Sequence, residues 1–134
     1  MKTTLAADVN APSEARAFVA TLLGTSHLPA GVLVERVVLI ASELVTNAVQ
    51  AGATTVEIGV TITAQRLDLV VIDDAGGWPT PTSATPDDTA GRGLSIVDHL
   101  VDTWDVASRK HGKAITASWF DQSDQRADGG VLAE

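Results

Sequence analysis

Glu43 and Asn47 stand four residues apart in the segment Glu43-Leu44-Val45-Thr46-Asn47-Ala48. On a helix that spacing places both on one face, about 6 Å apart along the axis. An asparagine inside a helix costs roughly half a kcal/mol relative to alanine. A buried carboxylate costs far more unless it is paired, and Arg36, two turns earlier, is the partner if the pair is only structural. The chemical alternative is a proton acceptor beside an oxygen ligand for a hard cation. Mg²⁺ takes few protein oxygens and completes its octahedron with water and phosphates. A second group, Asp73-Asp74-Ala75-Gly76-Gly77, ends an apolar run. Glycines there let the chain turn sharply and let a flat ligand approach closely. A carboxylate at the strand end can accept a hydrogen bond from an exocyclic amine. Guanine presents a carbonyl at that place, so a buried aspartate there discriminates strongly for adenine. The same residue types also make an ordinary turn. A third group, Gly91-Arg92-Gly93-Leu94, opens a helix. Backbone N–H groups at such an end bind phosphate when glycines expose them, although a flexible entry to a helix has the same composition.

Other chemistries are excluded or weak. A dinucleotide fingerprint would need a third glycine where Ile96 stands, and no Gly-x-x-x-x-Gly-Lys-Ser/Thr occurs, so there is no P-loop. His27, His99 and His111 show no metal-ligand spacing and read as structural or solvated. Arg92, Arg109, Lys110 and Lys113 gather four of the nine positive charges in the last third of the chain. They could steer a polyphosphate, but a solvated turn is the expected place for the last three.

The elements that must position these groups follow from pattern. Residues 3–9 suit a short strand. Asn10 offers an N-cap, and Ala15, Phe18, Val19, Leu22 and Leu23 form a helical stripe that stops at Gly24. A second helix is expected from about Val32 to Ala51, apolar on most faces and so buried on more than one side. Two β-branched stretches, Thr55–Thr63 and Leu67–Asp73, read as a hairpin. Residues 74–90 hold three prolines and many small polar side chains, and so long a connection is usually a functional lid or disordered. A short helix from Leu94 to about Leu100 follows, then a hairpin pairing Thr103–Ser108 with Ala114–Phe120 across Lys110-His111-Gly112-Lys113. Trp104 and Trp119 are expected in the core. The order β-α-α-β-β-loop-α-β-β predicts an α+β two-layer sandwich, with helices on one face of a mixed, mostly antiparallel sheet. Residues 1–120 form one domain in this reading, and 121–134 a polar C-terminal tail.

Composition narrows the function classes. The 134 residues are 45% hydrophobic and 19% charged, an ordinary globular balance. Seventeen acidic against nine basic residues give a net charge of −8, which repels phosphate backbones and anionic membranes and argues against direct nucleic-acid binding. With no cysteine there is no disulfide, thiolate metal site or cysteine nucleophile. No signal peptide or membrane-spanning run is visible, so the expected location is cytoplasmic.

In order and spacing, Glu-x-x-x-Asn on a helix, Asp-x-Ala-x-Gly after a strand, a lid and then Gly-x-Gly-Leu resemble the GHKL ATPase superfamily of gyrase, heat-shock chaperone, histidine kinase and mismatch-repair proteins. The resemblance covers roughly residues 5–120. Glu-Leu-Val-Thr-Asn-Ala, Asp-Asp-Ala-Gly-Gly-Trp-Pro and Gly-Arg-Gly-Leu-Ser-Ile-Val look like the free-standing anti-sigma-factor serine/threonine kinases. That resemblance implies the Bergerat-type ATP-binding fold, with ATP and Mg²⁺ as cofactors. It makes Glu43 the general base, Asn47 the Mg²⁺ ligand and Asp73 the adenine contact. Ala75 and Gly77 would line the adenine pocket, and Gly91, Arg92, Gly93 and Leu94 the phosphate site. Thr116 would assist the adenine-site water, and Arg16 would meet a sigma factor. The implied activity is transfer of the ATP γ-phosphate to a serine or threonine of an antagonist protein, with sequestration of a sigma factor. The alternative is a nucleotide-gated binding module with little or no kinase activity. Homodimerisation is left open. Two departures stand out: Ala75 replaces the family's usual first glycine, and the usual Gly-Thr after the fourth strand is Gly112-Lys113.

Overall fold

The computed structural model describes residues 1–75, 97 and 99–123. In chain order the elements are β1 (Lys2–Ala6), α1 (Ala11–Gly24), α2 (Val34–Gln50), β2 (Thr55–Ile62), β3 (Arg66–Asp73), β4 (Thr103–Arg109) and β5 (Gly112–Phe120). The five strands form one sheet in the order β1-β2-β3-β5-β4. Every pairing among them is antiparallel, so the sheet is not mixed over the described residues.

Alternation decides which side of the sheet is covered. Val56, Ile58 and Val60 of β2, Leu67, Leu69 and Val71 of β3, and Ile115, Ala117 and Trp119 of β5 are all buried. They share one face, because successive strand residues point to opposite sides. Onto that face pack Ala15, Val19 and Leu23 of α1 and Val37, Ile40, Ala41, Leu44, Val45 and Ala48 of α2. Burial around so much of α2 explains why its sequence carries only three charges, Glu35, Arg36 and Glu43. The opposite face has no helix over it among the described residues, and it is only half-buried at Asp68, Val70, Ile72, Ala114 and Thr116.

The start of α1 differs from expectation. Asn10 makes no side-chain cap. Instead the Asp8 carboxylate accepts the Asn10 N–H at 2.9 Å, and the Asp8 carbonyl accepts the Ala11 N–H at 3.1 Å. The acidic residue two positions earlier thus supplies the local turn. Of the short helix expected after Gly93, only Val97, His99 and Leu100 are described, all helical. Trp119 is core, its indole N–H donating to the Leu100 carbonyl at 2.9 Å, whereas Trp104 is half-buried. Beyond β5, the Asp121 N–H donates to the Gln65 carbonyl and the Gln122 N–H to the Ala30 carbonyl, each at 2.8 Å.

Candidate functional site

Helix α2 carries the first half of the site. Asn47 is 7% exposed, and among the described residues neither its buried amide nitrogen nor its buried amide oxygen has a hydrogen-bond partner. Buried side-chain amides are nearly always satisfied, and an unsatisfied one costs about 1–3 kcal/mol. One turn earlier Glu43 is half-buried, and among the described residues it forms no ion pair. Arg36, the candidate structural partner, is exposed and does not reach it. Among the described residues, a carboxylate without an ion-pair partner and an amide without a hydrogen-bond partner therefore share one helix face.

The end of β3 carries the second half. Asp73 has the parity of Leu67, Leu69 and Val71, so its side chain enters the helix-covered side and is 4% exposed. Its Oδ1 accepts the Ala75 N–H at 2.9 Å. Ala75 is buried beside it at 4% exposure. The ammonium of Lys113 also lies on the carboxylate, 3.1 Å from Oδ1 and 2.9 Å from Oδ2. Lys113 was expected on a solvated turn and is instead 4% exposed. The reason is that β5 already begins at Gly112, which places Lys113 in register with Asp73 and on the inward parity of Ile115. Gly112 makes the close approach possible: its φ is +106°, and a Cβ there would stand 1.8 Å from the Asp73 carbonyl oxygen.

Asp74 points outward and does a different job. It accepts the Thr54 N–H at 2.7 Å, the Thr55 N–H at 3.3 Å and the Thr54 hydroxyl. The Thr54 hydroxyl above all, with the backbone N–H groups of Thr54 and Thr55, holds its carboxyl below the ordinary value. This clamp ties the end of β3 to the start of β2 and fixes the turn after Asp73.

Two further assignments meet the structure. Thr116 has the opposite parity to Lys113 and Ile115 and lies across from Val70 and Asp105. Its side chain is therefore on the other face of the sheet from Asp73, and it cannot assist there. Arg16, exposed on α1, donates from Nη1 to the Ser42 hydroxyl at 2.9 Å, next to Glu43 in the chain. Gly77, Gly91, Arg92, Gly93 and Leu94 lie outside the described residues. Among those described, no three His, Asp or Glu side chains gather as a metal site, and no helix is long and apolar enough to cross a membrane. His27, His99 and His111 are exposed.

The model of the histidine kinase-like ATPase domain matches residues 5–119. In structure the chain is similar to the catalytic domain of the histidine kinase ThkA, with a TM-score of 0.60 and 16% identity over 90% of this chain and 98% of that one. It is also similar to the histidine kinase domain of a blue-light activated histidine kinase from Erythrobacter litoralis, with a TM-score of 0.52, 19% identity, and coverage of 87% of this chain and 61% of that one. At these identities the structures establish a shared fold. No curated protein matches the sequence. The family model spans most of the chain, and the chain belongs to the histidine kinase-like ATPase family.

Proposed function

We propose that this histidine kinase-like ATPase domain binds Mg-ATP between α2 and the end of β3, and that it acts as a regulatory protein kinase of the anti-sigma-factor type. The observation that carries the reading is the Asn47 amide, buried and, among the described residues, unpartnered on the same helix face as a carboxylate in no ion pair. A hard cation accepts such an amide oxygen readily. Bound there, Mg²⁺ would neutralise phosphate charge. Asp73 would face the base. Glu43 would accept the proton of a serine or threonine hydroxyl as its oxygen bonds to the γ-phosphorus and the bond to ADP breaks. Phosphoryl transfer asks for positioning and charge neutralisation more than covalent help, and a positioned base contributes about 10²–10⁴-fold in rate.

The protein substrate would be an antagonist protein presenting a serine or threonine, and the regulated partner a sigma factor. Arg16, tethered to Ser42 beside the catalytic face, is the residue proposed to meet that factor. Incubation with γ-labelled ATP and candidate antagonist proteins tests the activity. Label should appear on the antagonist with the wild type and vanish with Glu43→Ala, while that variant still binds ATP. Unchanged labelling would remove Glu43 from the mechanism. A partner that binds only with nucleotide and never takes label would make the chain a nucleotide-gated binding module.

A further inference from the structure

Asp73 does not meet a ligand as a lone carboxylate. Lys113 spans both its oxygens, with side-chain exposures of 6% for the lysine and 2% for the aspartate. Oδ1 accepts two hydrogen bonds, from Lys113 and from the Ala75 N–H, while Oδ2 stands 2.9 Å from the same ammonium as its ion-pair partner. An ammonium has three protons and a carboxylate about four acceptor sites. Among the described residues, Lys113 uses one ammonium proton in a hydrogen bond and Oδ2 accepts none, so a donor and an acceptor remain. The pair is held in place by the backbone, through the Asp73–Lys113 register and the close approach at Gly112.

That doublet changes what the strand end can read. A 6-aminopurine presents a donor at its exocyclic nitrogen and an acceptor at the adjacent ring nitrogen. A 6-oxopurine presents the reverse, an acceptor outside and a donor in the ring. A lone buried carboxylate only accepts, so it pairs with the amine and leaves a carbonyl facing it unpaired, which rejects the oxo base about a hundredfold or more. Asp73 with Lys113 offers an acceptor and a donor side by side. Either purine edge can then be satisfied, by exchanging which of the two residues meets the exocyclic group.

We propose that Lys113 is a specificity-determining residue that widens the site to 6-oxopurine nucleotides, so that guanosine and inosine triphosphates bind alongside ATP. The proposal rests on the nucleotide-binding reading above. Calorimetric titration of the full chain with the magnesium complexes of ATP, GTP and ITP tests it directly. The expected dissociation constants lie within about tenfold of one another, because neither edge leaves a buried group unpaired. In Lys113→Met the ratio of the GTP constant to the ATP constant should rise at least about tenfold, a readout that a purely structural lysine would not move. ATP binding with GTP and ITP about a hundredfold weaker in the wild type would overturn the proposal and leave the ATP reading standing. A ratio unchanged in Lys113→Met would also overturn it. No binding of any of the three would overturn both. The wild-type comparison decides the matter even if the methionine variant does not fold.

Discussion

Replacing Asn47 with alanine should raise the stability of the nucleotide-free protein and abolish the stabilisation that Mg-ATP confers. Both amide atoms are buried without a partner among the described residues. Removing them relieves a penalty of about 1–3 kcal/mol, and alanine adds about half a kcal/mol of helix propensity. The vacated volume takes back about 1 kcal/mol. The net expectation is a gain of about 0.5–2.5 kcal/mol, or roughly 2–9 °C in Tm for a chain of this length. Nucleotide at a hundred times its Kd stabilises the wild type by about 2.7 kcal/mol, and the variant by little. Urea and thermal unfolding, followed by circular dichroism with and without Mg-ATP, should therefore show the two proteins changing rank. Loss of more than about 1 kcal/mol in the nucleotide-free variant would refute the reasoning, because it would make Asn47 a structural residue. An undiminished nucleotide effect would refute it too.

Three further outcomes follow from the same geometry. Lys113→Met leaves the Asp73 carboxylate buried and alone, and should cost about 3–5 kcal/mol in chemical denaturation. Adding Asp73→Asn should recover much of that loss, and a simple sum of the two single effects would deny their coupling. Gly112→Ala forces a Cβ to within 1.8 Å of the Asp73 carbonyl oxygen at a φ of +106°, so it should lose more than about 2 kcal/mol by the same assay. The Asp74 carboxyl is held below its ordinary value by Thr54 and Thr55. Its contribution is therefore fully present above that ordinary value and fades as pH falls through the lower folded one, below about pH 4. Asp74→Asn should flatten the acid limb of the stability–pH curve, and an unchanged slope would remove Asp74 from the clamp.

Much of this architecture can be read from pattern. The 3.6-residue stripe of α1 and the nearly all-apolar α2 lie within a few residues of their expected bounds. The pairings of β2 with β3 and of β4 with β5 follow from β-branched alternation and short turns. The Glu43–Asn47 face is legible because polar residues in so apolar a helix stand out. What sequence reading missed is Lys113, since Lys-His-Gly-Lys has the composition of a solvated turn. The signal was in the parity: stepping back by twos from Trp119 through Ala117 and Ile115 reaches Lys113 on the inward face, opposite Asp73. The same count puts Thr116 outside. Asn10 failed as a cap because Asp8 holds the turn instead, a competition between neighbouring side chains that composition alone does not resolve.

Calorimetric titration of Mg-ATP into the wild type, beside Asn47→Ala, addresses the whole account at its root. It should reveal one saturable site per chain, weakened at least about a hundredfold in the variant, in line with loss of a ligand to a hard cation. Absence of saturable binding at millimolar nucleotide, or equal affinity in the two proteins, would contradict the assignment of Asn47 and with it the nucleotide site.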